Sequence, residues 1–118
     1  MRAKDAVGRY GEDVAERHLL AAGWRVLDRN WRCRDGELDL VGMDGDELVV
    51  VEVKTRRSAA YGSPAEAVTR LKLARVRRLA AQWLAAHDVR AASVRVDVIA
   101  VILPRSGAAV VDHLVGVV

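Results

Sequence analysis

The chain has 118 residues, 52% of them hydrophobic and 30% charged, with a formal net charge of +3. That length makes one domain, residues 1–118, and the apolar half of the composition excludes a disordered chain. The single Cys33 excludes an internal disulfide framework and a four-cysteine zinc site. No secretory apolar region and no run of about 18 apolar residues is visible, so a cytoplasmic protein without membrane contact is expected.

In chain order, Val7, Tyr10, Val14, His18 and Ala21 or Ala22 recur at helical spacing over residues 5–22, and Gly23 stops that helix. Glu12 lies at the margin of the apolar stripe, and Glu16 nearly opposite it, as a solvated residue. Gly8 and Gly11, unfavourable inside a helix, point to close approach of another backbone. Trp24–Asp28 reads as a short strand followed by a polar, arginine-rich stretch, 29–36.

Residues 37–43 alternate as a strand. Leu38 and Leu40 are expected on one face, and Glu37, Asp39 and Val41 on the other. Asp44-Gly45-Asp46 signals a turn into a valine-rich strand, 47–54. Its Val49, Val51 and Val53 share one face; Leu48, Val50, Glu52 and Lys54 share the other. Ser63-Pro64-Ala65-Glu66 has the residues of a helix start, with a second start at Thr69. The helix runs to about His87 with Leu73, Val76, Ala80, Trp83 and Leu84 as its apolar stripe. Strands at 94–103 and 109–115 close the chain. The order α-β-β-β-α-β-β is an α/β layout around one sheet.

Charge is unevenly distributed. Residues 54–78 carry a net +7, leaving −4 for the rest, and sixteen of the nineteen cationic residues are arginine. Arginine suits bidentate phosphate contacts, so this density points to a polyanionic partner; a solvated helix face is the alternative.

The hairpin gives the acids a geometry. If Asp44 pairs with Glu47 around Gly45-Asp46, Asp39 falls opposite Glu52 and Glu37 opposite Lys54. A shifted turn would instead set Glu37 against Glu52. Opposed carboxylates destabilise a sheet unless something positive lies between them, and a divalent cation is one resolution. Glu12 either completes such a site or is a surface residue. By contrast, His18, His87 and His113 show no HxH or HExxH spacing, so no zinc site is expected. His18 reads as a packed residue, Cys33 as inert, and Asp97 as a supporting acid or an arginine partner.

Together Gly8-x-x-Gly11-Glu12-x-x-Ala15, Gly23-Trp24, Arg29-Asn30-Trp31-Arg32, Gly36-Glu37-Leu38-Asp39-Leu40-Val41, Val51-Glu52-Val53-Lys54-Thr55-Arg56 and Val96-Asp97-Val98 resemble the small bacterial YraN-type family. That family is a predicted branch of the restriction-endonuclease-like, PD-(D/E)xK nuclease superfamily, related to archaeal Holliday-junction resolvases. The resemblance covers residues 6–114. It implies an α-β-β-β-α-β core with a central mixed sheet flanked by helices, with acids Glu12, Asp39 and Glu52 and the lysine Lys54. Leu38 stands where the superfamily often has proline before the aspartate.

The expected activity is Mg- or Mn-dependent hydrolysis of phosphodiester bonds in DNA, branched or repair intermediates included. Asp39, Glu52, the Val53 carbonyl and Glu12 would hold the ion, and Lys54 would orient water or neutralise developing charge. Thr55, Arg56, Arg57, Arg29, Arg32 and Lys72 are the candidate nucleic-acid contacts, Lys72 being otherwise a solvated lysine at the stripe's edge. Trp31 reads as a base-stacking residue or a partly buried hairpin residue. The rival reading is a non-catalytic nucleic-acid-binding protein on the same fold. The apolar run 114–118 reads as a last core strand or a partner surface, such as a homodimer contact.

Overall fold

A computed structural model describes residues 6–57 and 70–117. The elements are α1 (Ala6–Ala21), β1 (Arg25–Cys33), β2 (Gly36–Asp44), β3 (Glu47–Arg56), α2 (Arg70–Ala86), β4 (Ser93–Ile102) and β5 (Val110–Leu114). Their order is the expected one. The strands form one mixed sheet in the order β1-β2-β3-β4-β5, antiparallel at every seam except the parallel β3–β4 pair. The helix starts expected at Ser63 and Thr69 lie outside the described residues.

α1 ends where glycine allows it. Gly23 takes a φ of +89°, and the amides of Gly23 and Trp24 donate back to the carbonyls of Leu20 and Leu19. This closure turns Trp24 under the helix, where it packs with Ala15, Leu19, Leu40, Val49, Val51, Ile99 and Val101. On the other face of the sheet, Val76, Leu79, Ala80 and Trp83 of α2 pack on Leu38, Val41, Met43, Leu48, Val50 and Val96. α2 presents the stripe that its periodicity predicts, but α1 does not: its buried residues are Gly11, Glu12, Ala15 and Leu19, while Tyr10 and Ala21 of the expected stripe are exposed, because the close approach of Gly11 to Thr55 turns that line of the helix onto the sheet.

β3 is covered on both faces. Leu48, Val49 and Val50 are fully buried, and each such side chain stabilises the fold by about 1.5–3 kcal/mol. A one-residue slip would move Glu52 to the α1 face and into an apolar core, so burial fixes the register. The turn fixes it too: Asp44↔Glu47 to Leu40↔Val51 pair as the Gly45-Asp46 hairpin requires.

Two further expectations are corrected. The arginine-rich stretch after Asp28 is not irregular, because β1 continues to Cys33 and pairs Trp31↔Leu38, Arg32↔Glu37 and Cys33↔Gly36. These cross-strand partners, with an Arg32–Glu37 ion pair at 3.3 Å, outweigh the polar composition. Leu38 and Leu40 also do not share a face: Leu38 packs in the α2 core and Leu40 in the α1 core. The alternation breaks at Asp39 and, on β1, at Asn30, which has a φ of +56°. Before the break, Arg29 turns to α1; after it, Trp31 packs toward α2.

Gly11 is explained by one close approach, to a side chain rather than to backbone. A Cβ there would overlap Thr55 of β3.

Candidate functional site

The site is built where the β2–β3 hairpin opens. The backbone pairing runs as far as Leu40↔Val51. Beyond it the Asp39 side chain acts in the ladder's place, with Oδ2 accepting the Val53 amide N–H at 2.9 Å. Asp39 and Glu52 then line one cleft of about 280 Å³, together with Gly36, Glu37 and, from α2, Lys72, Arg75, Val76 and Leu79. The expected convergence of Asp39 and Glu52 on Lys54's side of the sheet is thus met.

Two ammonium groups resolve the charge of this pair. Lys54 Nζ lies 3.2 Å and Lys72 Nζ 3.1 Å from the same oxygen, Glu52 Oε1. Burial pushes the Glu52 carboxyl up, but the two lysines outweigh it and hold the group below its ordinary value. Burial and then the neighbouring Lys72 push Lys54 down, against the pull of Glu52. Burial also pushes Lys72 down, but its bonds to Lys54 and Glu52 win and leave it raised. Lys72 is therefore not the solvated lysine that its place on the wheel suggests. It is half-buried and delivers a second cation from α2.

Glu12 is buried, on the other side of the sheet's edge. Asn30 Nδ2 donates to Glu12 Oε1 at 3.1 Å, and Arg29 approaches the same oxygen at 3.7 Å. Asn30 belongs to β1 between Arg29↔Leu40 and Trp31↔Leu38, across from Asp39. It is a linking residue that sequence reasoning missed; only its place within Arg29-Asn30-Trp31-Arg32 signalled it. Among the described residues no three His, Cys, Asp or Glu side chains are spaced to hold a metal ion.

Arg29 is committed to α1, 2.7 Å from Asp13 and 3.2 Å from Glu16. Glu16 is accordingly half-buried and paired rather than solvated. Arg32 contacts Glu37 across the first hairpin. Thr55 lies against Gly11, Arg56 is half-buried, and Arg57 is exposed. Arg75, Arg77 and Arg78 are exposed along α2. Trp31 is half-buried against the α2 core with its ring 6.2 Å from that of His87. Cys33 contacts Gln82 at 3.2 Å.

Asp97 is fully buried on the α1 face, where Arg95 grips it with two bonds of 2.9 and 3.0 Å. Of its two expected roles, arginine partner is the one observed. No helix among the described residues is long and apolar enough to cross a membrane.

The family model "Uncharacterised protein family UPF0102" matches residues 11–101, which spans every candidate acid and lysine. A UPF0102 protein of Beutenbergia cavernae is 68% identical over 117 residues, 99% of each chain. One from Kineococcus radiotolerans is 62% identical over 118 residues, covering 99% of this chain and 97% of its own. One from Frankia casuarinae is 60% identical over 116 residues, 98% of each. The chain belongs to the UPF0102 family.

Proposed function

We propose that the protein is a metal-dependent nuclease that hydrolyses phosphodiester bonds in DNA, on a restriction-endonuclease-like core. One observation carries the reading: Asp39 and Glu52 meet in a cleft with two lysines, at the point where a β-hairpin opens against a basic helix.

The donor chemistry fits Mg²⁺ or Mn²⁺, which favour carboxylate and carbonyl oxygens. Among the described residues, Asn30 Oδ1, of the residue that holds Glu12, is buried without a hydrogen-bond partner, whereas Glu37 Oε2, of a residue lining the cleft, is met by Arg32 Nε at 3.3 Å. Asp39, Glu52 and the Val53 carbonyl would hold the ion, with Glu12 directly or through water. When bound, it would polarise a phosphate, acidify a water and offset charge on the leaving oxygen.

The chain's own residues do the rest. The Val53 amide fixes the aim of Asp39. Lys54 carries an ammonium to the phosphate's approach and can orient the attacking water. Lys72, reaching the same carboxylate oxygen from α2, sets a second positive charge against the phosphate. Arg56, Arg57 and the exposed arginines of α2 would follow the backbone, giving affinity without base readout. Val115 is 61% exposed just past the edge strand β5, a surface on which a homodimer could form.

The test is cleavage of branched, single-stranded and duplex DNA with Mg²⁺ or Mn²⁺ by wild type, Glu52→Ala and Lys54→Ala. Cutting by wild type alone is expected; equal cutting by all three indicates a contaminant and removes the assignment.

One observation favours the rival reading of a non-catalytic DNA-binding module: no three-ligand set is formed among the described residues, and two lysines already occupy Glu52. On that reading, DNA affinity is indifferent to Mn²⁺ and to Asp39→Asn.

A further inference from the structure

The histidines that show no metal spacing in the sequence come together in space. His18 of α1 and His113 of β5, 95 residues apart, have Nε2 and Nδ1 facing at 3.2 Å. Their rings are near-perpendicular, at 73°. The geometry points to a binding site for a borderline divalent ion of the zinc type, held by His18 Nε2 and His113 Nδ1.

Three features support this. The first is the separation: two nitrogens each about 2.0–2.1 Å from a tetrahedral ion lie about 3.3 Å apart, close to the observed distance. The second is the support behind His113. Its other nitrogen, Nε2, lies 2.7 Å from Asp97 Oδ2, which fixes the proton on Nε2 and leaves the Nδ1 lone pair toward His18. A carboxylate behind a histidine is how metal-binding imidazoles are oriented. The third is that Asp97 is built for this and for no direct ligation. It is fully buried, its oxygens engaged by Arg95 and by the Gly116 amide at 2.9 Å.

His113 lies on β5 and His18 on α1, so the site is on the face of the sheet opposite Glu52. Two imidazoles select a zinc-type ion rather than the oxygen-loving Mg²⁺. The chain supplies two ligands, and water completes the shell. A bound ion would tie the N-terminal helix to the last strand.

The test uses the full chain stripped with a chelator, then titrated with Co²⁺ and with Zn²⁺. Expected are one equivalent of Zn²⁺ by calorimetry, a visible Co²⁺ spectrum of tetrahedral type that Zn²⁺ abolishes, and both signals lost in His18→Ala but kept in Glu52→Ala. His18→Cys should retain binding and add a sulfur-to-cobalt charge-transfer band, which reads the site even if the alanine variant folds poorly. Absence of one-equivalent binding, or binding that survives His18→Ala unchanged, overturns the proposal and leaves a direct imidazole–imidazole hydrogen bond.

Discussion

Asp39 Oδ2 accepts the Val53 amide N–H at 2.9 Å, so an acid on one strand of the hairpin is held by the backbone beside the acid of the other. This single bond does two jobs. It ends the β2–β3 ladder without leaving a donor exposed to the core, and it holds Asp39 beside Glu52. Asp39→Asn keeps an oxygen to accept that bond and should change stability by less than about 1 kcal/mol. It should nevertheless abolish Mn²⁺ binding at the cleft. Asp39→Ala removes the acceptor and should cost about 1–3 kcal/mol. Urea denaturation and Mn²⁺ calorimetry on both variants check this; equal Mn²⁺ binding in wild type and Asp39→Asn would contradict it.

Lys72 competes with any cation for Glu52 Oε1. Lys72→Met should therefore raise the apparent Mn²⁺ affinity several-fold while lowering DNA affinity and cleavage. Both partners are part-exposed, so the stability change should stay within about 1 kcal/mol. Parallel Mn²⁺ and DNA titrations read the two directions, and a fall in both affinities would count against direct competition.

Gly11 marks where α1 touches β3. Gly11→Ala adds a Cβ that meets the Thr55 side chain, and such overpacking typically costs about 1–3 kcal/mol. Thr55→Ala should recover only part of that loss, because its own Cβ also lies against the added methyl. A double-mutant cycle by thermal unfolding measures the coupling; strict additivity would mean that the helix simply shifts.

Asp97 predicts the acid limb of stability, measured with a chelator present. Burial pushes its carboxyl up, but Arg95, the Gly116 amide and His113 together hold it below its ordinary value of 3.8. A depressed carboxylate stabilises fully above that value, and the stabilisation is lost as pH falls through the lower folded one. Unfolding free energy should therefore drop below about pH 4. In Asp97→Asn that drop should be shallower, from a baseline lower by about 3–5 kcal/mol, because Arg95 loses its buried partner.

Much of this arrangement was readable from local chemistry. The Asp44-Gly45-Asp46 turn and the valine alternation were enough to pair Leu40 with Val51 and to set Glu52 and Lys54 on one face. The stripe from Leu73 to Leu84 was enough to lay α2 on the sheet. The break at Asn30 and Asp39 was not readable, since it exists only because two strands cross from one core to the other at the same level. Nor was the length of β1, whose Arg29 and Arg32 are neutralised by acids of α1 and β2. Lys72 looked solvated because a helical wheel carries no record of what lies across from it. His18 and His113 looked isolated because only the finished sheet brings them together.

The parallel seam between β3 and β4 also dictates an order of assembly. β1, β2 and β3 are joined by tight turns and can zip together from neighbouring sequence. The outer edge of β3 must wait for residues 93–102, delivered by a long crossover, and such non-local pairing is slow. Until then the emerging polypeptide carries a valine-rich edge with open amides and carbonyls, the kind of surface that recruits chaperones or other nascent chains. Lys72 belongs to that same crossover, so the last step that shields the edge also brings the second ammonium to Glu52.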